Sequence, residues 1–219
     1  MLEATVSTRV LVVYYSRHGH VETLANAVGS GAALVRNAEV RLRRVPELDE
    51  ERRSEGAVEP VTHDDLRWAD AIAWGTPTRY GVMATPLKHL LDGMVELWLR
   101  GELEDKPTGV FTSSASMHGG QESTILTTLV PLLHFGMIFV GTPYVQNPQI
   151  LTTDAVGGSP YGPSTVAGAD DSRAVVEAEL LTARNLGVRL ARVASALKIV
   201  RITTTQRQVD APAYVDASL

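Results

Sequence analysis

Short apolar runs recur at regular spacing along this chain, and between them apolar residues fall three and four apart. The runs 9–15, 40–45, 69–75 (ADAIAWG), 108–113 (TGVFTS) and 136–141 (GMIFVG) have strand length and read as five strands. The second run carries more polar residues than the others and reads as an edge strand. Between the runs the period changes to that of a helix. In 21–36, Val21, Leu24, Ala25, Val28, Ala32 and Val35 share one helical face. Met83, Leu87, Leu90, Leu91, Met94 and Trp98 do so in 83–98, and Ile125, Leu126, Leu129, Leu132 and Leu133 in 121–135. A last helix over about 172–198 uses Val176, Leu180, Ala183, Leu190 and Leu197. Strands alternating with helices imply an α/β fold: a doubly wound, five-stranded parallel sheet with right-handed crossovers and helices on both faces. The apolar first, third and fourth strands belong at the centre, which predicts the order 2-1-3-4-5. One domain over residues 9–200 follows, with an N-terminal extension (1–8) and a C-terminal tail (201–219). A charged loop spans 46–64, and a Gly/Pro/Thr-rich insertion spans about 142–171, before the last helix. Insertions of that length inside a compact domain are usually functional or interfacial.

Composition narrows the chemistry. The 219 residues are 44% hydrophobic and 21% charged, ordinary for a globular chain. A net charge of −5 without a basic stripe argues against nucleic acid as a partner. No apolar run is long enough for an integral membrane segment, and no secretory pattern opens the chain, so a cytoplasmic protein is expected. There are no cysteines, which removes disulfides, thiolate nucleophiles and cysteine metal sites together. Any redox chemistry must therefore come from a bound cofactor. The histidines are scattered singly, so no metal is expected.

In a doubly wound sheet the loops after strands one, three and four converge at the carboxyl edge. The first loop, Ser16-Arg17-His18-Gly19-His20-Val21, joins a buried strand to a helix. It offers a hydroxyl, successive amides and a helix N-terminus, as a phosphate requires. The plain alternative is an ordinary N-cap by Ser16 or Thr23. The second loop, Gly75-Thr76-Pro77-Thr78-Arg79-Tyr80-Gly81, presents a hydroxyl, a guanidinium and an aromatic ring in sequence, suited to the edge of a heterocycle. Read blandly, it is a strand-to-helix turn. The third loop, 113–122, is rich in small residues that let a backbone approach a flat ligand, or it simply caps the next helix. It pairs Ser with His but lacks a GxSxG elbow, which leaves little room for a hydrolase. Trp98, His134 and Tyr161 remain as isolated candidates.

Taken together, the strings YYSRHGHVET, GTPTRYG, SSASMHGGQE, LLHFGM and GGSPYGPSTVAG resemble the WrbA family of flavodoxin-like NAD(P)H:quinone oxidoreductases, over about residues 9–198. The resemblance implies FMN as cofactor, NADH or NADPH as co-substrate, two-electron reduction of quinones and a homotetramer. Carried over by position, it assigns the FMN phosphate to Ser16, Arg17, His18, Gly19, His20 and Val21. The flavin ring falls to Pro77, Thr78, Arg79 and Tyr80, and to Ser113, Ser114, Ala115, Ser116, Met117, His118 and Gly119. His134 reaches the flavin in the assembled enzyme, His18 also meets the nicotinamide nucleotide, and Trp98 lines the quinone site. The insertion assists tetramer formation. No side chain is assigned a catalytic role, since the flavin N5 carries the hydride in a ping-pong cycle. Departures from the family pattern are a longer third loop around Met117 and His118, Phe135 in place of a second histidine, and Tyr80 for phenylalanine. The competing readings are a one-electron carrier, favoured by the fold type but not by the mild charge, and a non-enzymatic flavin-binding regulator.

Overall fold

The computed structural model describes residues 7–49 and 58–203. Most of the predicted extension and tail, and the middle of the 46–64 loop, lie outside the described residues. In chain order the elements are β1 (Thr8–Tyr14), α1 (His20–Ala33), β2 (Ala38–Arg44), α2 (His63–Trp68), β3 (Ala71–Arg79), β4 (Val82–Met83), α3 (Thr85–Asp92) and α4 (Val95–Leu99). They continue with β5 (Pro107–Ser114), α5 (Gln121–His134), β6 (Ile138–Phe139), β7 (Ser164–Val166) and α6 (Glu177–Thr203).

The sheet runs β2-β1-β3-β5-β6, each neighbour parallel. That is the predicted 2-1-3-4-5 order once the small hairpin strand β4 is counted apart. Alternation along β1 assigns its two faces. Leu11 and Val13 pack with Ile72, Trp74 and Val110 against Leu87, Leu91, Leu97, Ile125 and Leu129, the layer of α3, α4 and α5. Val12 and Tyr14 pack with Phe111 against Val21, Leu24, Val28, Leu186 and Leu190, the layer of α1 and α6.

Four boundaries differ from the predicted pattern. The fifth strand is split: β6 pairs with Pro107 and Thr108, and β7, arriving after the insertion, pairs with Thr112 to Ser114. The chain leaves the sheet at Gly141–Pro143, where proline has no N–H for the ladder and a Cβ on Gly141 would strike the Pro160 carbonyl. The predicted helix 83–98 is two helices, parted at Gly93 and Met94. Its predicted start is instead β4, which turns back on the end of β3 through Tyr80 (φ 55°) and Gly81 (φ 84°). The fourth difference is α2, where Thr62 and Asp65 form a reciprocal capping box inside what read as loop.

Candidate cofactor site

β1 ends at Tyr14, and the chain turns at Ser16 before entering α1 at His20. Gly19 is the N-cap, in the left-handed region at φ 91°, and no side chain caps the helix. The ordinary N-cap is therefore not what the chain forms. Thr23 instead donates its hydroxyl to the Gly19 carbonyl at 3.0 Å. Ser16 is buried at 3% exposure, and its Oγ accepts from the Gly19 amide at 3.2 Å, so its own proton remains to be given. The first-turn amides of α1 have no intrahelical acceptor. From below, Arg44 Nη2 donates to the Ser16 carbonyl at 2.9 Å and braces the turn.

The other loops are held as firmly. Thr78 Oγ1 accepts from the Gly81 amide (3.2 Å) and from Thr124 Oγ1 (2.7 Å). Ser114 Oγ donates to the Ser116 carbonyl at 2.7 Å, and Gln121 Nε2 donates to the Met117 carbonyl at 3.2 Å. Together these loops border a cleft of about 240 Å³ at the carboxyl edge of the sheet, over the switch point between β1 and β3. Ser16, Arg17, His18, His20 and Val21 line one side, and Pro77, Thr78, Arg79, Ser113, Ser114 and Ala115 line the other.

A further wall was not foreseen. Ala167, Ala169 and Asp171, on the segment returning from β7, also line the cleft. The Ala167 amide donates to the Ser114 carbonyl at 2.8 Å, so this segment continues the β7 pairing. Asp171 Oδ2 stands 3.7 Å from His18 Nε2 across the mouth. The run of small residues at 167–169 was the only local signal, and it read as part of the insertion.

Other predicted residues are placed elsewhere. Gly19 forms the turn's crest without lining the cleft, and Ser116 and Gly119 lie along the third loop outside the lining. Tyr80 points fully into solvent. Met117 and His118 line a second cavity of about 490 Å³, with Gln121, Ser159 and Ser164. Trp98 Nε1 donates to the His134 carbonyl at 2.9 Å; these two residues line a shallow surface hollow with Val95 and Phe135, apart from the cleft. Tyr161 sits on the insertion, partly exposed.

Electrostatically, Arg17 and Arg79 bring cations to the cleft. Burial, then a 2.6 Å bond to Glu47, pushes the Tyr15 phenol up to about 12. Burial and the bond to Glu22 push Tyr14 higher still, so both phenols stay neutral donors beneath the turn. Among the described residues no group of three or more His, Asp or Glu side chains is placed to hold a metal ion, and no helix is long and apolar enough to cross a membrane.

The sequence profile of the family described as NADPH-dependent FMN reductase matches residues 8–151. An NAD(P)H dehydrogenase (quinone) from Geobacter sulfurreducens is 47% identical over 199 residues, covering 86% of this chain and 98% of the relative. One of the same name from Aromatoleum aromaticum is 44% identical over 200 residues, covering 86% and 97%. Among solved structures, a WrbA-like flavodoxin from Agrobacterium tumefaciens superposes with a TM-score of 0.63 at 28% identity, over 87% of this chain and 99% of that one. An archaeal flavodoxin, at TM-score 0.58 and 19% identity, covers 86% of this chain and 99% of its own and shares the fold.

Proposed function

Because the chain belongs to the NADPH-dependent FMN reductase family, we propose that it is an FMN-dependent NAD(P)H:quinone oxidoreductase, the activity its relatives are named for. The observation that carries this reading is the gathering of the phosphate turn and both ring loops around one cleft at the switch point. The residues present fit FMN. The uncapped first turn of α1, the Ser16 hydroxyl and Arg17 form an anion-binding donor set. A Cβ at Gly19 would meet nothing within 4 Å, so the space above the turn is open. Across the cleft, Pro77 to Arg79 and Ser113 to Ala115 offer stiff backbone and small side chains to a flat ring. FMN bound there supplies two-electron transfer between a nicotinamide and a quinone.

The protein's own part is position and charge. Ser16 and the amides of His20 and Val21 would hold the phosphate, while Arg79, on the opposite wall, would favour negative charge on the bound ring. His18, half-exposed at the crest, meets the incoming nucleotide. Nucleotide and quinone use this face in turn, which makes the kinetics ping-pong. Trp98 and His134 do not line the cleft of their own chain, so their assigned roles require another copy, in keeping with a homotetramer. The cytoplasm is the proposed location.

The test is anaerobic. FMN-loaded protein is expected to lose its visible flavin absorbance on adding NADH or NADPH, and to regain it on adding benzoquinone. Initial-rate plots at several quinone concentrations are expected to run parallel. Failure to bleach with either nucleotide would overturn the reading.

A further inference from the structure

His20 lines the cofactor cleft, yet its Nε2 lies 2.9 Å from the backbone carbonyl of Arg173. A carbonyl only accepts, so Nε2 carries the proton. The neutral ring then presents a bare lone pair at Nδ1, which has no partner among the described residues. The carbonyl that fixes this tautomer is itself held from behind. Arg173 Nη1 donates to the Val166 carbonyl (2.6 Å) and pairs with Glu179 (3.1 Å), and Nη2 donates to the Ala155 carbonyl (2.9 Å). Glu179 is fully buried and also accepts from Thr165 Oγ1 (2.7 Å) and from the amides of Gly157 (2.9 Å) and Val176 (3.0 Å).

A phosphate dianion beside a ring lone pair is repelled, whereas beside an N–H⁺ it gains a charge-assisted hydrogen bond. We propose that binding the cofactor's phosphate draws one proton from solvent onto Nδ1 of His20. Glu179, acting through Arg173, is the positioning residue that sets the ring for it. This rests on the FMN reading above. The other charged or titratable groups lining the cleft are Arg17, His18, Arg79 and Asp171. Behind it stand Glu22, bonded to Tyr14, Arg44, bonded to the Ser16 carbonyl, and the Arg173–Glu179 pair. Of these His18 is the other imidazole at the cleft, 3.7 Å from Asp171.

The experiment is calorimetric titration of the apoprotein with FMN at about pH 8, where free imidazole is neutral and the phosphate is a dianion, in buffers of different ionisation enthalpy. Net proton uptake is expected for FMN and none for riboflavin, which lacks the phosphate. FMN affinity then weakens as pH rises from 7 to 9, by at most about tenfold per pH unit. His20→Gln keeps a side-chain N–H within reach of the Arg173 carbonyl but has nothing to protonate, so uptake vanishes and the pH slope flattens. His18→Asn is the reciprocal variant: uptake that vanished there while surviving in His20→Gln would place the proton on His18 instead. Glu179→Gln loosens Arg173 and lowers the proton count; a merely structural loss would weaken binding at an unchanged count. FMN binding without uptake, equal uptake with riboflavin, or uptake surviving in His20→Gln would each overturn the inference while leaving the cofactor reading intact. Failure of FMN to bind at all would remove the cofactor reading and the inference with it.

Discussion

Asp65, in the first turn of the short helix α2, sits at 5% exposure against the edge strand β2, with Arg41 at 3.2 Å and Arg43 at 3.1 Å. Arg41 also lies over the Trp68 ring at 4.0 Å. Burial alone would raise this carboxyl; hydrogen bonds from Thr62 and Arg43 outweigh it and hold it below the usual carboxylate range. A folded-state value below the unfolded one means stabilisation that is present above about pH 4 and lost as pH falls through the folded value. Asp65→Asn removes the charge that faces Arg41 and Arg43 while leaving an acceptor for the Thr62 amide, and is expected to cost about 1–3 kcal/mol near neutral pH. Urea unfolding checks this, and the gap to wild type should narrow as pH falls below about 4; a gap independent of pH would mean that the carboxylate charge is not its source. The cleft residues Ser16 to Val21, Pro77 to Arg79 and Ser113 to Ala115 were legible in the sequence because each lies beside a strand end that the apolar runs mark. The bond from His20 to Arg173 spans 153 positions, and no local pattern announces a contact of that range.

Helices α1 and α6 approach so closely that backbone meets backbone. A Cβ on Gly187 would strike the Val28 carbonyl, and one on Gly31 would strike the Arg184 carbonyl. Gly187→Ala gains up to about 1 kcal/mol of helix propensity but forces the two helices apart, which typically costs about 1–3 kcal/mol. A net loss of about 1–2 kcal/mol is expected by denaturant unfolding, and the same for Gly31→Ala. Gly29→Ala is the contrast, since its Cβ would meet the movable Leu42 Cδ1 at 2.8 Å; near-neutral stability is expected there. If all three alanines behaved alike, close helix packing would not be the cause. At this scale the strands and their order were readable because burial on both faces leaves continuous apolar runs, as in β1 and the first half of β3. What escaped reading were elements set by partners. β4 exists because the Tyr80–Gly81 turn folds it onto β3, and β7 because β5 leaves Thr112 to Ser114 open beyond the end of β6.

A surface formed by β4, α4 and α5 leaves Val82, Val95, Trp98, Val130 and Leu133 each about half exposed. All but Leu133 line two adjoining hollows that share Lys88, Pro131 and His134, the larger about 520 Å³. Apolar groups gathered this way mark an interaction surface more often than chance exposure. The roles proposed for Trp98 and His134 would need such a surface, because both residues could then meet the cleft of a second copy rather than that of their own chain. Val130 is 55% exposed on α5 and does not line the cofactor cleft. Val130→Asp is therefore expected to leave FMN binding and the thermal midpoint near wild type while burying a charge in any assembled interface. Sedimentation should show a smaller species than the wild type, and quinone turnover per flavin should fall at least about tenfold. Two results would count against this. If the variant assembles as before, this face is not the interface. If it dissociates yet turns over at the wild-type rate, one protomer suffices for the chemistry, and Trp98 and His134 owe their places to the packing of α4 against α5.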